Sequence, residues 1–295
     1  MEMENTQIKS RNEIQGGRFF FENIVLPLIS PLFWEIILSL FFSSKEVLVF
    51  IGQVPTFGHI LHDLFGTFPT LYNLASYLCF YYLSGVATHK LFARTQLLPD
   101  NHYFIVPTWM IKMAAFVGHV HSGSASAIPI WQYAQYLFYR NDFFWRHLEL
   151  SVPEVPIVSK GTKVERKTYF KVGVNKQKHD RALIVADTYP IDLDHLPDLL
   201  DEMTYVVLQT ISGGKMDRIR GYNPQLVNAI VREVRRAESE GICNLYLLLN
   251  TNPKHVTEVF REAFSDAGRN SLRHLYVFQS DKSQNYEFTE PHRIF

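Results

Sequence analysis

Leu245-Tyr246-Leu247-Leu248-Leu249-Asn250-Thr251-Asn252-Pro253 reads as a strand running into a polar turn. The apolar run is too short for a helix and no polar residue interrupts it. That composition suits a strand buried on both faces, as in a parallel sheet. Upstream, Leu226, Val227, Ile230, Val231, Val234 and Ala237 recur at helical spacing among Arg232, Glu233, Arg235, Arg236 and Glu238, which marks an amphipathic helix. Pro224 fits its first turn and Gly241 its end. Downstream, Val256, Val259, Phe260, Ala263, Phe264 and Ala267 predict a second helix closed by Gly268, and Leu272 to Phe278 a further strand. From Asn223 to Val277, helix, strand, helix and strand alternate as in an α/β crossover.

The alternation extends backwards. Ala182 to Ala186 and Tyr205 to Leu208 read as strands, with a short helix marked by Leu193, Leu196, Leu199 and Leu200 between them. Residues from about Arg181 to Phe278 therefore predict four strands alternating with three helices, a Rossmann-like half-domain.

Lys plus Arg and Asp plus Glu each number 29. Net charge thus gives no basic field for duplex nucleic acid, and no such partner is expected. Cys79 and Cys243 both lie in apolar runs and read as small buried hydrophobes. The aromatics, 23 Phe and 15 Tyr in all, concentrate before residue 150.

That concentration points to a membrane. Residues up to Arg18 are polar and lack the pattern of a cleaved signal peptide. Phe19 to Phe42 is strongly apolar, and the thirteen strong hydrophobes from Ile24 to Phe42 favour insertion by about 6 kcal/mol. A charged Glu35 near the centre offsets about 3 kcal/mol of this. Thr70 to Thr88 has no Asp, Glu, Lys or Arg and is the second candidate span. Its hydrophobes are fewer, while Ser76, Ser84, Gly85 and Ala87 would admit a close partner helix. Lys9, Arg11 and Arg18 precede the pair, and Lys90 and Arg94 follow it. The positive-inside rule then puts both ends in the cytoplasm, with Lys45 against that reading. A buried helical hairpin of a soluble domain is the competing interpretation. Between the spans, His59, His62 and Asp63 are too few for a metal, and a solvated or interfacial turn is expected.

Residues 98 to 150 predict a strand at Tyr103 to Val106, a helix at Trp109 to Val117, a small-residue loop from Gly118 to Ser126, and an aromatic helix from Trp131 to Leu150. The pair His119 and His121 lacks a third metal ligand. The Gly/Ser loop could meet a phosphate or be a plain turn. Lys160 to Lys178 is basic and reads as a solvated face, an anion-facing hairpin or a surface resting on anionic lipid. We expect a membrane region over residues 1–97 and an α/β domain over 98–295.

In an open α/β sheet, ligands bind beyond the carboxyl ends of the strands. The candidate ligand residues there are Thr188 and Tyr189 after the first strand, and Thr210, Ser212, Gly213 and Lys215 after the second. Asn250, Thr251, Asn252 and Lys254 follow the third. Tyr189 could stack on a base, and Lys215 and Lys254 could meet phosphates. The same residues also serve as ordinary caps and turns, Asn252 above all. Walker, Gly-x-Gly-x-x-Gly, nucleophile-elbow and zinc motifs are absent from the sequence. No cofactor or metal is expected, and sensing is favoured over turnover. An enzyme working at the same edge would draw on His119, His121 and Lys215 as acid–base groups. A soluble interaction protein is the other alternative.

Leu183 to Ile191, Val207 to Thr210, Glu240 to Pro253 and Leu275 to Gln279, with Tyr286 near the end, resemble the C-terminal part of a SAVED domain. That resemblance implies a CARF-related α/β sensor of cyclic oligonucleotides in bacterial anti-phage signalling. With the two-helix membrane hairpin, it implies a CBASS membrane effector. Such an effector binds its messenger on the cytoplasmic side, forms homo-oligomers and disrupts the inner membrane bilayer. Residues from about Leu98 to His179 depart from the family pattern. Lys254 stands where the family carries Ala, so ligand residues carry over as loop positions only.

Overall fold

The computed structural model describes residues 12–54, 58–92, 95–158, 162–169, 179–188, 191–212, 215–216, 221–264, 272–281 and 287–295. The chain divides into two compact units. One comprises Met1–Gly123 with Arg146–Glu149, the other Ser124–Trp145 with Leu150–Phe295. The boundary expected after residue 97 therefore falls inside the first unit.

In the first unit, β1 (Asn12–Ile14) pairs in parallel with β2 (His102–Phe104). Helix α1 runs over Gly16–Phe41, and its 26 residues are long and apolar enough to cross a bilayer. At 1.5 Å per residue it reaches about 39 Å, against a hydrocarbon core of about 30 Å. A π-turn occupies Phe21–Val25. Pro27 follows directly and cannot donate to the carbonyl four residues back, so the wider turn falls where the α-helical ladder is already broken.

Two short helices follow, α2 (Ser44–Gly52) and α3 (Gly58–Thr67). This corrects the expectation of a loop or turn. Helix α2 begins with a capping box in which Ser43 and Glu46 exchange backbone and side-chain bonds. The S-x-x-E signal at Ser43 was legible and overlooked. His62 meets only the exposed carboxylate of Asp63, at 3.3 Å.

Helix α4 (Pro69–Phe92) packs on α1. Ser30 Oγ lies 3.3 Å from Ser84 Oγ, and the Tyr77 hydroxyl donates to the Leu28 carbonyl at 3.1 Å. Of the small residues expected to admit a partner helix, Ser84 makes this contact, whereas Gly85 lies against His119. The outward faces of both helices leave Leu32, Phe33, Ile36, Leu40, Leu74, Leu78 and Leu83 exposed, a surface water does not favour. Helix α5 (Thr108–Val117) buries Ile111, Ala114 and Ala115.

The second unit is a mixed α/β domain. Helix α6 spans Ile130–Tyr139. The helix expected to reach Leu150 stops there, and a 3₁₀ turn follows at Trp145–His147. The described strands form a seven-stranded sheet: β3 (Lys163–Tyr169), β4 (Asp180–Ala186), β5 (Thr204–Ser212), β6 (Lys215–Met216), β7 (Asn244–Asn250), β8 (His274–Asp281) and β9 (Glu287–Arg293). Their order is β9-β8-β7-β4-β5-β3, with β6 paired to β5. The four central strands β8, β7, β4 and β5 are parallel, and the flanking strands run antiparallel.

The parallel strands are the four read from the sequence. Ala182, Ile184, Tyr205, Val207, Tyr246, Leu248 and Phe278 pack on one face under Leu200 and Met203. Alternation sends Leu183, Val185, Val206, Leu208, Leu247 and Val277, all buried, to the other. There α7 (Pro224–Ser239) packs across β3, β4 and β5, and α8 (Pro253–Ala263) lies against α7 and α6. Burial on both faces explains the unbroken apolar runs.

Two expectations fail locally. The helix expected through Leu193 and Leu196 is irregular and forms only a 3₁₀ turn at Asp198–Glu202, while Leu193 and Leu196 pack on the core from turns and irregular backbone. Thr210 and Ser212, read as loop, belong to β5, which pairs with β3 as far as Ile211 and with β6 at Ile211 and Ser212. Helix α7 ends as read, with Gly241 at φ 76°, a conformation open to glycine.

Candidate functional site at the sheet reversal

Numbered along the chain, the four parallel strands lie in the spatial order 2-1-3-4. From β4 the chain moves one way to β5, then returns through α7 to β7 on the other side of β4. Connections therefore diverge above the β4–β7 pair, where Ala186 faces Asn250 across the register. A crevice is expected at the carboxyl end of such a pair.

Asp187 and Thr188 leave β4 at that point, and both backbone N–H groups donate to the Asn250 carbonyl at 3.1 Å. This turns the Asp187 side chain, nearly fully buried, into a polar cluster. Thr210 donates to Asp187 Oδ1 at 2.9 Å, and Thr251 donates to Oδ2 at 2.7 Å. His255 stands 3.2 Å from Oδ2 and is completely buried. These donors satisfy the Asp187 carboxyl group in the interior.

His255 has a defined tautomer when neutral. The Asn223 backbone N–H donates to Nε2 at 2.7 Å, so that nitrogen holds a lone pair. The ring proton then sits on Nδ1, 2.7 Å from Thr251 Oγ1. Nδ1–H to Thr251, and Thr251 O–H to Asp187, form a continuous chain. Asn252 caps α8 by accepting from the His255 backbone at 3.1 Å, and its amide donates to the Gly221 carbonyl at 2.9 Å. Asn223 caps α7 through the Gln225 backbone at 3.0 Å. The starts of two helices and the ends of strands β4, β5 and β7 are thus tied through one imidazole.

Of the sequence candidates, Thr188, Thr210, Asn250, Thr251 and Asn252 come together here. Thr210 is internal to the cluster, whereas Thr251 and Asn252 are partly open. Ser212 is exposed at the end of β5 and pairs in register with Lys215 of β6. Tyr189 and Gly213 lie outside the described residues, and nothing of the Lys215 side chain is described. Lys254 is not a free phosphate contact: its Nζ is 3.0 Å from the buried Glu258, and lies 5.9 Å above the Tyr222 ring. Burial, then nearby Glu258, raises the Tyr222 hydroxyl above its usual pKa.

Sequence reading did not single out Asp187, Asn223 or His255 as site residues. The signal was present in the spacing of Thr251 and His255, which places them one turn apart where α8 begins. Among the described residues, no group of three or more His, Cys, Asp or Glu could hold a metal ion. His119 and His121 belong to the first unit.

No curated protein matches the chain. Among similar solved structures is the Acinetobacter baumannii Cap4 SAVED/CARF-domain containing receptor with the cyclic trinucleotide 2'3'3'-cAAA, at 10% identity and a TM-score of 0.36. The match covers 63% of this chain and 41% of that one. The chain thus spans well under half of that receptor's length. The model of the SMODS- and Ubiquitin system-associated 2TM effector domain matches residues 90–295. Its match begins in the last turn of α4 and takes in the whole sheet. The chain belongs to the SMODS- and Ubiquitin system-associated 2TM effector domain family.

Proposed function

We propose that the protein is a membrane-anchored effector whose α/β domain binds a cyclic oligonucleotide. On this reading the domain is a Rossmann-like, SAVED-type sensor. Binding drives homo-oligomerisation, and the clustered apolar helices disrupt the bacterial inner membrane in anti-phage defence. The carrying observation is the convergence of Thr188, Asn250, Thr251 and Asn252 on the β4–β7 reversal, beside the start of α8. Partly open hydroxyl and amide groups there can read base edges, and the amides of a helix start suit a phosphate. The family description, a 2TM effector, supports the membrane arm of the reading. So do the long apolar α1 and the exposed apolar faces of α1 and α4. The sensor domain is assigned to the cytoplasm by the basic residues that flank the two helices.

Sensing, not turnover, is the proposed role, because the one imidazole of the cluster, His255, is completely buried and bonded to Asn223 and Thr251. The test uses the full chain in detergent micelles with a panel of cyclic di-, tri- and tetranucleotides. One member should raise both the melting temperature and the mass, and be recovered intact. A panel that leaves both unchanged sinks the sensor reading, and a cleaved ligand makes the protein an enzyme.

A further inference from the structure

Away from the sheet, the first unit holds a cleft of about 490 Å³ whose walls include His89, His119, His121, Arg146, His147 and Glu149. Four histidines and one arginine line it together with one glutamate. The walls are fixed by backbone pairing. Glu149 N–H donates to the His121 carbonyl at 2.6 Å, and Leu97 N–H to the Ser122 carbonyl at 2.9 Å. The His121 and His147 rings lie 6.5 Å apart, and His147 packs edge-on against Phe116 at 5.7 Å. His119 reaches the cleft by passing α4 where that helix has no side chain: a Cβ on Gly85 would stand 2.2 Å from its Nδ1. The Tyr81 ring lies against His119 at 4.5 Å. Burial, then the neighbouring His121, lowers the His119 pKa.

An anion drawn in among these side chains would oppose that shift. A metal does not suit them, since no described group has the spacing of a metal site. A phosphate does: it accepts from imidazole and guanidinium donors together. The position of the cleft indicates where that phosphate comes from. His89 lies in the last turn of α4, after a stretch without Asp, Glu, Lys or Arg from Thr70 to Thr88, and Lys90 follows it. Basic groups at the end of an apolar helix sit at headgroup depth.

We propose that this cleft binds a phosphate group, that of an anionic phospholipid headgroup, and so seats the end of α4 on the membrane surface. Binding favours the charged form of His119, whose pKa burial and His121 lower, whereas Glu149 opposes the anion. Affinity therefore rises as pH falls below about 7.

The test uses the full chain in nonionic micelles and native mass spectrometry. The probes are phosphatidylglycerol, phosphatidylcholine as the neutral control, and inorganic phosphate. Preferential retention of phosphatidylglycerol, strengthened at the lower pH and reduced about tenfold in Arg146→Glu, is the expected result. His121→Gln should give a smaller loss, and circular dichroism checks that both variants stay folded. If inorganic phosphate raises the melting temperature in an Arg146-dependent way without lipid preference, the phosphate site stands and its source is soluble. Equal retention of both lipids with no phosphate response, or retention unchanged in both variants, overturns the proposal. Any of these outcomes leaves the nucleotide reading of the sheet edge untouched.

Discussion

Replacing His255 with Leu removes the one ring that ties the two helix starts to Asp187. The Asn223 N–H, at a residue 4% exposed, loses its acceptor at 2.7 Å. Thr251 loses the Nδ1–H donor, and Asp187 loses a neighbour at 3.2 Å. An orphaned buried donor costs about 1–3 kcal/mol, and the weakened carboxylate contact adds a similar amount. Leucine recovers some apolar packing, so the net loss is about 2–4 kcal/mol. For a unit of this size each kcal/mol moves the melting temperature by about 2–4 °C, which gives a fall of about 10 °C. His255→Gln should recover part of it, since a Gln amide oxygen can take the place of Nε2 as acceptor. Thermal unfolding of the full chain in micelles, followed by far-ultraviolet circular dichroism, measures both. A His255→Leu protein within 1 °C of the native one would refute the argument that the Asn223 and Thr251 bonds hold this edge together. If the edge is also the nucleotide site, His255→Gln should bind more weakly than its stability alone accounts for.

Two further outcomes follow from ion pairs. Lys254→Gln removes a charge that faces Glu258 at 3.0 Å but adds none, so it should cost under about 1 kcal/mol, whereas Lys254→Glu sets two carboxylates a turn apart and should cost more. Chemical denaturation ranks the two, and equal stabilities would mean that the Lys254–Glu258 pair is not formed. Arg166 grips Glu233 with two bonds, at 2.8 and 3.0 Å, between β3 and α7. Arg166→Met leaves the buried Glu233 with Arg236 and should lower stability by about 1–2 kcal/mol. A double-mutant cycle with Glu233→Gln checks this, and strictly additive losses would assign the cost to packing instead.

The four parallel strands were legible because each is buried on both faces, and such strands leave an uninterrupted apolar record. Helices α7 and α8 were legible because one face of each is buried and the other is charged. The linker helices α2 and α3 were not. Glycines and a proline broke the apolar pattern, and the capping box at Ser43 and Glu46 went unweighed. The segment through Leu193 and Leu196 misled for the opposite reason. Its leucines have helical spacing, yet they pack on Ile184, Tyr205 and their neighbours from irregular backbone. Tertiary contact decided that segment, and spacing alone could not report it.

The candidate site divides along the same line. Thr188, Thr251 and Asn252 could be placed from the sequence, because residues following a strand gather at the sheet edge whatever their partners. Asp187, Asn223 and His255 could not, because their roles depend on strand order: only the reversal between β4 and β7 sets residues 187, 223 and 255 side by side. Lys254 does not depend on strand order, because Glu258 follows it one turn along the same helix. Position alone made it a phosphate contact, but a buried carboxylate one turn along the helix already holds its ammonium group. A ligand phosphate at the start of α8 would therefore reach Lys254 only by competing with Glu258.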